Sequence, residues 1–196
     1  MTIIRNVTEP ITAGTSRRSF LSGGAHLTLS ATAIALLAGN PRLAVGSARA
    51  ATSGNDVTIL NAALGAEQEA VAAYQLGAES GLLQKPVLDL AVGFQDHHKQ
   101  HVDALAKTIR ALGGRPVEPP KTFSFPTERL KSQADILSFA AQLEKGAVSA
   151  YLGAVPVLTD RELAKVAASI LGDEAMHWAM LRQALGQDPV PAAFVS

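Results

Sequence analysis

The sequence predicts an all-α fold: an antiparallel four-helix bundle made of two helical hairpins joined by a long crossover. Three observations carry this. Four segments place apolar residues at helical spacing. The connectors between them run short, long, short. Alanine and leucine are plentiful while aromatics are only 5% of the chain, a composition that favours packed helices over sheets.

Residues 1–50 stand apart from the bundle. "TSRRSFLSG" sets Arg17 and Arg18 before a Phe-Leu pair, "LTLSATAIALLAG" follows, and "SARA" puts Ala48 and Ala50 at small-x-small spacing. This pattern resembles a twin-arginine export signal cleaved after Ala50, which implies a periplasmic or otherwise exported protein. The apolar run from Leu27 to Gly39 is shorter than the roughly 20 residues that span a bilayer. No stable membrane span is therefore expected after cleavage.

Residues 51–196 then form one domain with enough chain for a sizeable core. Setting aside the leader's five basic and one acidic residues leaves 12 basic and 16 acidic side chains, a net charge near −4. No basic patch suits a nucleic acid. With no cysteine, disulfides and thiolate ligands are excluded, so any metal is held by oxygen and nitrogen.

The first helix is expected over about 56–80, with Leu60, Leu64, Ala70, Val71 and Tyr74 along one stripe. The second starts at Pro86, a favourable first-turn residue, and stops at Gly113–Gly114. Its stripe is Leu90, Phe94, Leu105 and Leu112. The third spans about 133–155 through Leu137, Ala140, Ala141, Val148 and Tyr151, and Pro156 limits it. The fourth opens with "TDRE", where Thr159 and Glu162 have capping-box spacing, and runs to about Leu185.

Short turns join the first pair of helices and the second pair, so each pair is a hairpin. Between them lies "GRPVEPPKTFSFPTERLK", proline-rich and too long for a turn. A 25-residue helix is roughly 37 Å long, a distance that about a dozen extended residues can cover. The crossover thus returns along the bundle, and its aromatic "TFSFP" is expected to pack over it.

An internal repeat places the charges. "EQEAVAAYQ" in helix one matches "EKGAVSAYL" in helix three, aligning Glu67 with Glu144 and Tyr74 with Tyr151. "HKQHVDAL" in helix two matches "EAMHWAML" in helix four, aligning His98 with Glu174 and His101 with His177. Glu67 and Glu144 sit on apolar stripes, where a lone carboxylate costs several kcal/mol or stays protonated. Residues three apart share a helix face, so Glu174 and His177 aim at one point. A cation near the bundle centre would neutralise the carboxylates and use the imidazoles.

Glu67 with Tyr74, Glu144 with Tyr151, and Glu174-x-x-His177 together resemble the ferritin-like superfamily, which includes ferritins, rubrerythrins and dinuclear-manganese catalases. The likeness runs from about Asp56 to Leu185 and is strongest to exported ferritin-like domain proteins. It implies iron or manganese, one or two ions, with Glu67 and Glu144 as terminal ligands, Glu174 bridging, and His101 and His177 as terminal nitrogen ligands. It also implies redox chemistry on dioxygen or peroxide, or oxidation of the metal itself.

One departure stands out. Where the family's pattern has Glu-x-x-His in helix two, this chain has His98. A neutral imidazole offers one lone pair where a carboxylate offers two oxygens. One bridge and one negative charge are lost. At about 100° per residue, His98 lies nearer the apolar stripe than His97, so it is the better inward candidate for the ligand set. His97 is placed at the edge of the centre, Tyr74 and Tyr151 beside the glutamates, and Asp96 and Glu69 on solvated faces. The residues leave alternatives open: Glu67 and Glu144 as core carboxylates paired with His101 and His177 in a metal-free structural or partner-binding envelope protein, or a single structural zinc.

Overall fold

The computed structural model describes residues 48–195. Four helices make the bundle: α1 (Ala48–Glu79), α2 (Lys85–Ala111), α3 (Gln133–Ala154) and α4 (Arg161–Ala184). A single 3₁₀ turn, Thr127–Arg129, interrupts the crossover, and there is no strand among the described residues. The expected leader lies outside the described residues except for positions 48–50, over which α1 already runs. Among the described residues no helix is long and apolar enough to cross a membrane.

The helix ends follow from local chemistry. Pro86 fits the first turn of α2, where its missing N–H has no partner to lose. At the other end Gly113 takes φ 80°, a left-handed conformation that glycine adopts without a Cβ clash, and Gly114 N–H donates to Ile109 O at 2.9 Å. A Cβ on Gly114 would stand 2.6 Å from Val57. The chain therefore leaves α2 pressed against the start of α1. Ser132 caps α3 by accepting from Asp135 N–H at 3.2 Å.

The cap of α4 differs from expectation. Asp160, not Thr159, accepts from Glu162 N–H at 2.8 Å and Leu163 N–H at 3.3 Å. The backbone N–H groups of Thr159 and Asp160 themselves donate to the carboxylate of Asp56 at 2.9 and 3.0 Å. Asp56, buried at the start of α1, thus ties the two hairpins together at one end of the bundle.

Those ties fix the topology. The starts of α1 and α4 meet at Asp56, and the starts of α2 and α3 meet where Gln84 N–H donates to Gln133 Oε1 at 2.8 Å. The crossover runs beside α1: Asn61 bonds Arg115 O and Val117 N–H, and Gln68 donates to Val117 O. Phe123 and Phe125 stack at 6.0 Å, and Phe125 meets Phe139 edge-on at 5.8 Å, so "TFSFP" packs on α3 as expected.

Two apolar clusters fill the interior. One is built on Ile59, Leu64, Ile109, Leu158 and Ile170, the other on Ala91, Phe94, Leu137, Ala141 and Leu181. Residues 67, 98, 101, 144, 174 and 177 fall between the two sets on their helices. The core is therefore apolar, polar, apolar in layers.

Candidate metal centre

Each helix contributes to the polar layer: Glu67 from α1, His98 and His101 from α2, Glu144 from α3, Glu174 and His177 from α4. Glu67, His98, Glu144, Glu174 and His177 are each at most 2% exposed. Carboxylates at that depth require a compensating charge or a full set of hydrogen bonds.

The two tyrosines supply part of that set, each across to the other hairpin. Tyr151 donates to Glu67 Oε1 at 2.6 Å, and Tyr74 donates to Glu144 Oε1. Burial and the adjacent glutamate charge push both hydroxyls well up, so both remain donors. Each tyrosine thus bonds the glutamate of the opposite hairpin, a reciprocal arrangement that follows the repeat.

His98 spans the middle. Its Nδ1 is 2.8 Å from Glu67 Oε2 and its Nε2 is 3.3 Å from Glu144 Oε1. Burial lowers the tendency of the ring to hold a proton, but hydrogen bonds to Glu144 and Glu67 and the nearby carboxylate charges win, pushing it up to about 11. Burial likewise opposes charge on Glu67 and Glu144. The nearby rings of His101 and His98 nevertheless lower Glu67, and those of His177 and His98 hold Glu144 well below the usual carboxylate range. His101 and His177 are each raised to about 9, against burial, by contacts with Glu174 and Glu67, and with Glu144 and Glu174, respectively.

Glu174 is the unsatisfied member. Both of its oxygens are buried without a hydrogen-bond partner, as are His101 Nδ1 and His177 Nδ1. The orphans face one another: His101 Nδ1 lies 3.2 Å from Glu174 Oε1 and 3.4 Å from Glu67 Oε2. His177 Nδ1 lies 3.6 Å from Glu174 Oε2 and 3.5 Å from Glu144 Oε1. Around an ion with bonds of about 2.1 Å, neighbouring donors sit about 3.0–3.5 Å apart. The donor sets Glu67, His98, His101, Glu174 and His98, Glu144, Glu174, His177 each close within 4.8 Å. These oxygen and imidazole donors suit iron, manganese or zinc.

The ferritin-like domain family matches residues 55–187. The chain belongs to that family. Among solved structures, this ferritin-like chain is similar to a conserved hypothetical protein from Mycobacterium tuberculosis, at 22% identity and TM-score 0.63, over 72% of this chain and 99% of that one. It is also similar to a crystal structure titled ferritin like, diiron-carboxylate proteins from Bacillus anthracis str. Ames, at 21% identity and TM-score 0.60, over 68% of this chain and 97% of that one. No curated protein matches.

All six expected ligand residues of the ferritin-like chain meet in one layer, with His101 less buried than the rest at 15% side-chain exposure. Asp96 faces solvent as expected, whereas Glu69 is half-buried, and burial pushes its carboxyl up. Asp173 was not anticipated. Its Oδ2 lies 3.4 Å from His101 Nε2 and 3.4 Å from His177 Nε2, so one carboxylate backs the outward nitrogens of both rings. The repeat carried the signal, since the offset that pairs His98 with Glu174 also pairs His97 with Asp173.

Proposed function

We propose that this chain is a ferritin-like protein, periplasmic or otherwise exported, that holds iron or manganese in its polar layer. The metal serves redox handling of dioxygen or peroxide, or is itself oxidised. The observation that carries this reading is Glu174, whose two buried oxygens have no partner and face two imidazole nitrogens that also have none. A buried polar atom without a hydrogen bond costs about 1–3 kcal/mol, a cost that the mutual contacts at 3.2 and 3.6 Å offset only in part and that a cation would remove. Glu67 and His101 would hold one ion, Glu144 and His177 another, with Glu174 shared.

When bound, iron or manganese supplies a redox couple and open coordination positions. The residues do the rest. Tyr151 and Tyr74 hold one oxygen of Glu67 and of Glu144 in place. Asp173 fixes the rings of His101 and His177. His98 offers one lone pair once its proton has left, so it joins the ligands with a single nitrogen. Three carboxylates leave two divalent ions net positive, a charge that favours binding of hydroxide or another anion. The twin-arginine leader supports export and is compatible with folding around a metal before transport.

A second reading is favoured by His98 itself. Bonded to Glu67 and Glu144, it closes a charge-compensated network with no ion, as in a metal-free structural or partner-binding envelope protein. Metal analysis of untagged protein, expressed with ample iron and manganese, separates the two. Iron or manganese at about one ion per chain or more, removed by chelation with loss of thermal stability, supports the first. Background metal and a melting temperature indifferent to chelator would refute it.

A further inference from the structure

A second cluster of metal-ligating atoms lies just outside the polar layer. Asp173 Oδ2 is 3.1 Å from His97 Nδ1 and 3.4 Å from His177 Nε2, and His97 Nδ1 is 3.0 Å from His177 Nε2. These edges fit one face of a coordination polyhedron with bonds of about 2.1 Å, without movement of the side chains. Two imidazoles and a carboxylate suit a divalent transition ion that keeps water in its remaining positions. The triad is open to solvent: His97 is 47% exposed and Asp173 21%, while the His177 side chain between them and the core is 2% exposed.

We propose that His97, Asp173 and His177 Nε2 form an outer divalent-metal site that loads the core, an inference that rests on the core holding metal. A neutral imidazole has one lone pair, so His177 serves the outer site through Nε2 or the inner one through Nδ1, never both. Each choice leaves a proton on the opposite nitrogen, and each opposite nitrogen has a carboxylate within ion-pair reach. With Nε2 engaged outward, the Nδ1 proton faces Glu144 and Glu174 at 3.5 and 3.6 Å. With Nδ1 engaged inward, the Nε2 proton faces Asp173 at 3.4 Å. Whichever side of the ring takes the ion, the other side keeps a carboxylate within 3.4–3.6 Å. Outer and inner occupancy through this ring alternate, as a relay requires.

Cobalt(II) uptake, followed by its visible absorption in a rapid-mixing experiment, tests this. The wild-type protein should show a fast phase that a chelator strips at once, then a slow phase that resists the chelator. His97→Ala should abolish the fast phase and slow core loading about tenfold, leaving the final content unchanged. His97→Asp, which restores a ligand, should recover both. In Glu174→Gln, which weakens the core, the chelator-labile ion should persist and should vanish when His97→Ala is added. A His97→Ala protein that loads as fast as wild type would overturn the relay alone. Absence of any cobalt uptake by wild type would overturn the core reading as well.

Discussion

His98 replaces a carboxylate with a cation at the centre of the polar layer. Between Glu67 Oε2 at 2.8 Å and Glu144 Oε1 at 3.3 Å, it keeps two buried carboxylates charged when no metal is present. His98→Glu would reinstate the family's pattern and remove that internal counter-charge. Without metal the variant should be less stable by about 3–5 kcal/mol, the cost of breaking a buried ion pair, as read from denaturant midpoints. With iron or manganese it should bind more ions per chain, and more tightly, than wild type. Equal stability without metal would mean that His98 does not compensate the glutamates. The departure at His98 was legible in the sequence, but its role was not. An offset identifies which residue replaces which, whereas the bonds from one ring to two opposed helices depend on how those helices face. Asp173 was missed for a related reason. Next to Glu174 it reads as an ordinary solvated charge, and only the approach of α2 to α4 adds His97 and His101 to the His177 that already lies four residues along its own helix.

Among the elements, the hairpins are joined by a few long-range polar ties in addition to apolar packing. Tyr151 to Glu67 and Tyr74 to Glu144 cross between α1 and α3, and Asp56 joins the start of α1 to the start of α4. Asp56→Ala removes the acceptor for two backbone N–H groups. It should cost about 1–2 kcal/mol of stability, seen as a lower denaturant midpoint, with metal content per folded chain unchanged. A drop in metal content at full stability would instead place Asp56 in the centre's chemistry. Helix positions were readable from apolar spacing, proline and glycine, and the bounds agree closely for α2, α3 and α4. The α4 cap was misplaced by one residue because "TDRE" contains two competent cap side chains. Asp56, more than 100 positions upstream, holds the N–H groups of both Thr159 and Asp160, a long-range contact that the local motif does not reveal.

At the scale of the whole molecule, the layered core makes stability depend on pH. His98, His101 and His177 are raised from 6.5 to about 11, 9 and 9 in the folded protein. Their contribution is fully present below the unfolded value and is lost as pH rises through the folded ones. Glu67 and Glu144 are depressed, so theirs is present above the ordinary carboxylate value of 4.5 and lost as pH falls through the folded ones. The metal-free protein should therefore melt highest between about pH 4.5 and 6.5 and lose stability steadily from pH 7 towards 9. Bound metal replaces those protons, so loading should strengthen over the same alkaline range and offset the loss. A flat melting profile from pH 6 to 9 without metal would show that the histidines carry no extra protons.

If Glu174 joins two metal-binding halves of one buried layer, anomalous diffraction will reveal it. Crystals of protein loaded with iron or manganese, measured on either side of the metal's absorption edge, should show anomalous density. The peaks should lie between Glu174, His101 and Glu67, and between Glu174, His177 and Glu144. Density absent from both positions in metal-replete crystals, with His98 still bonded to Glu67 and Glu144, would contradict it.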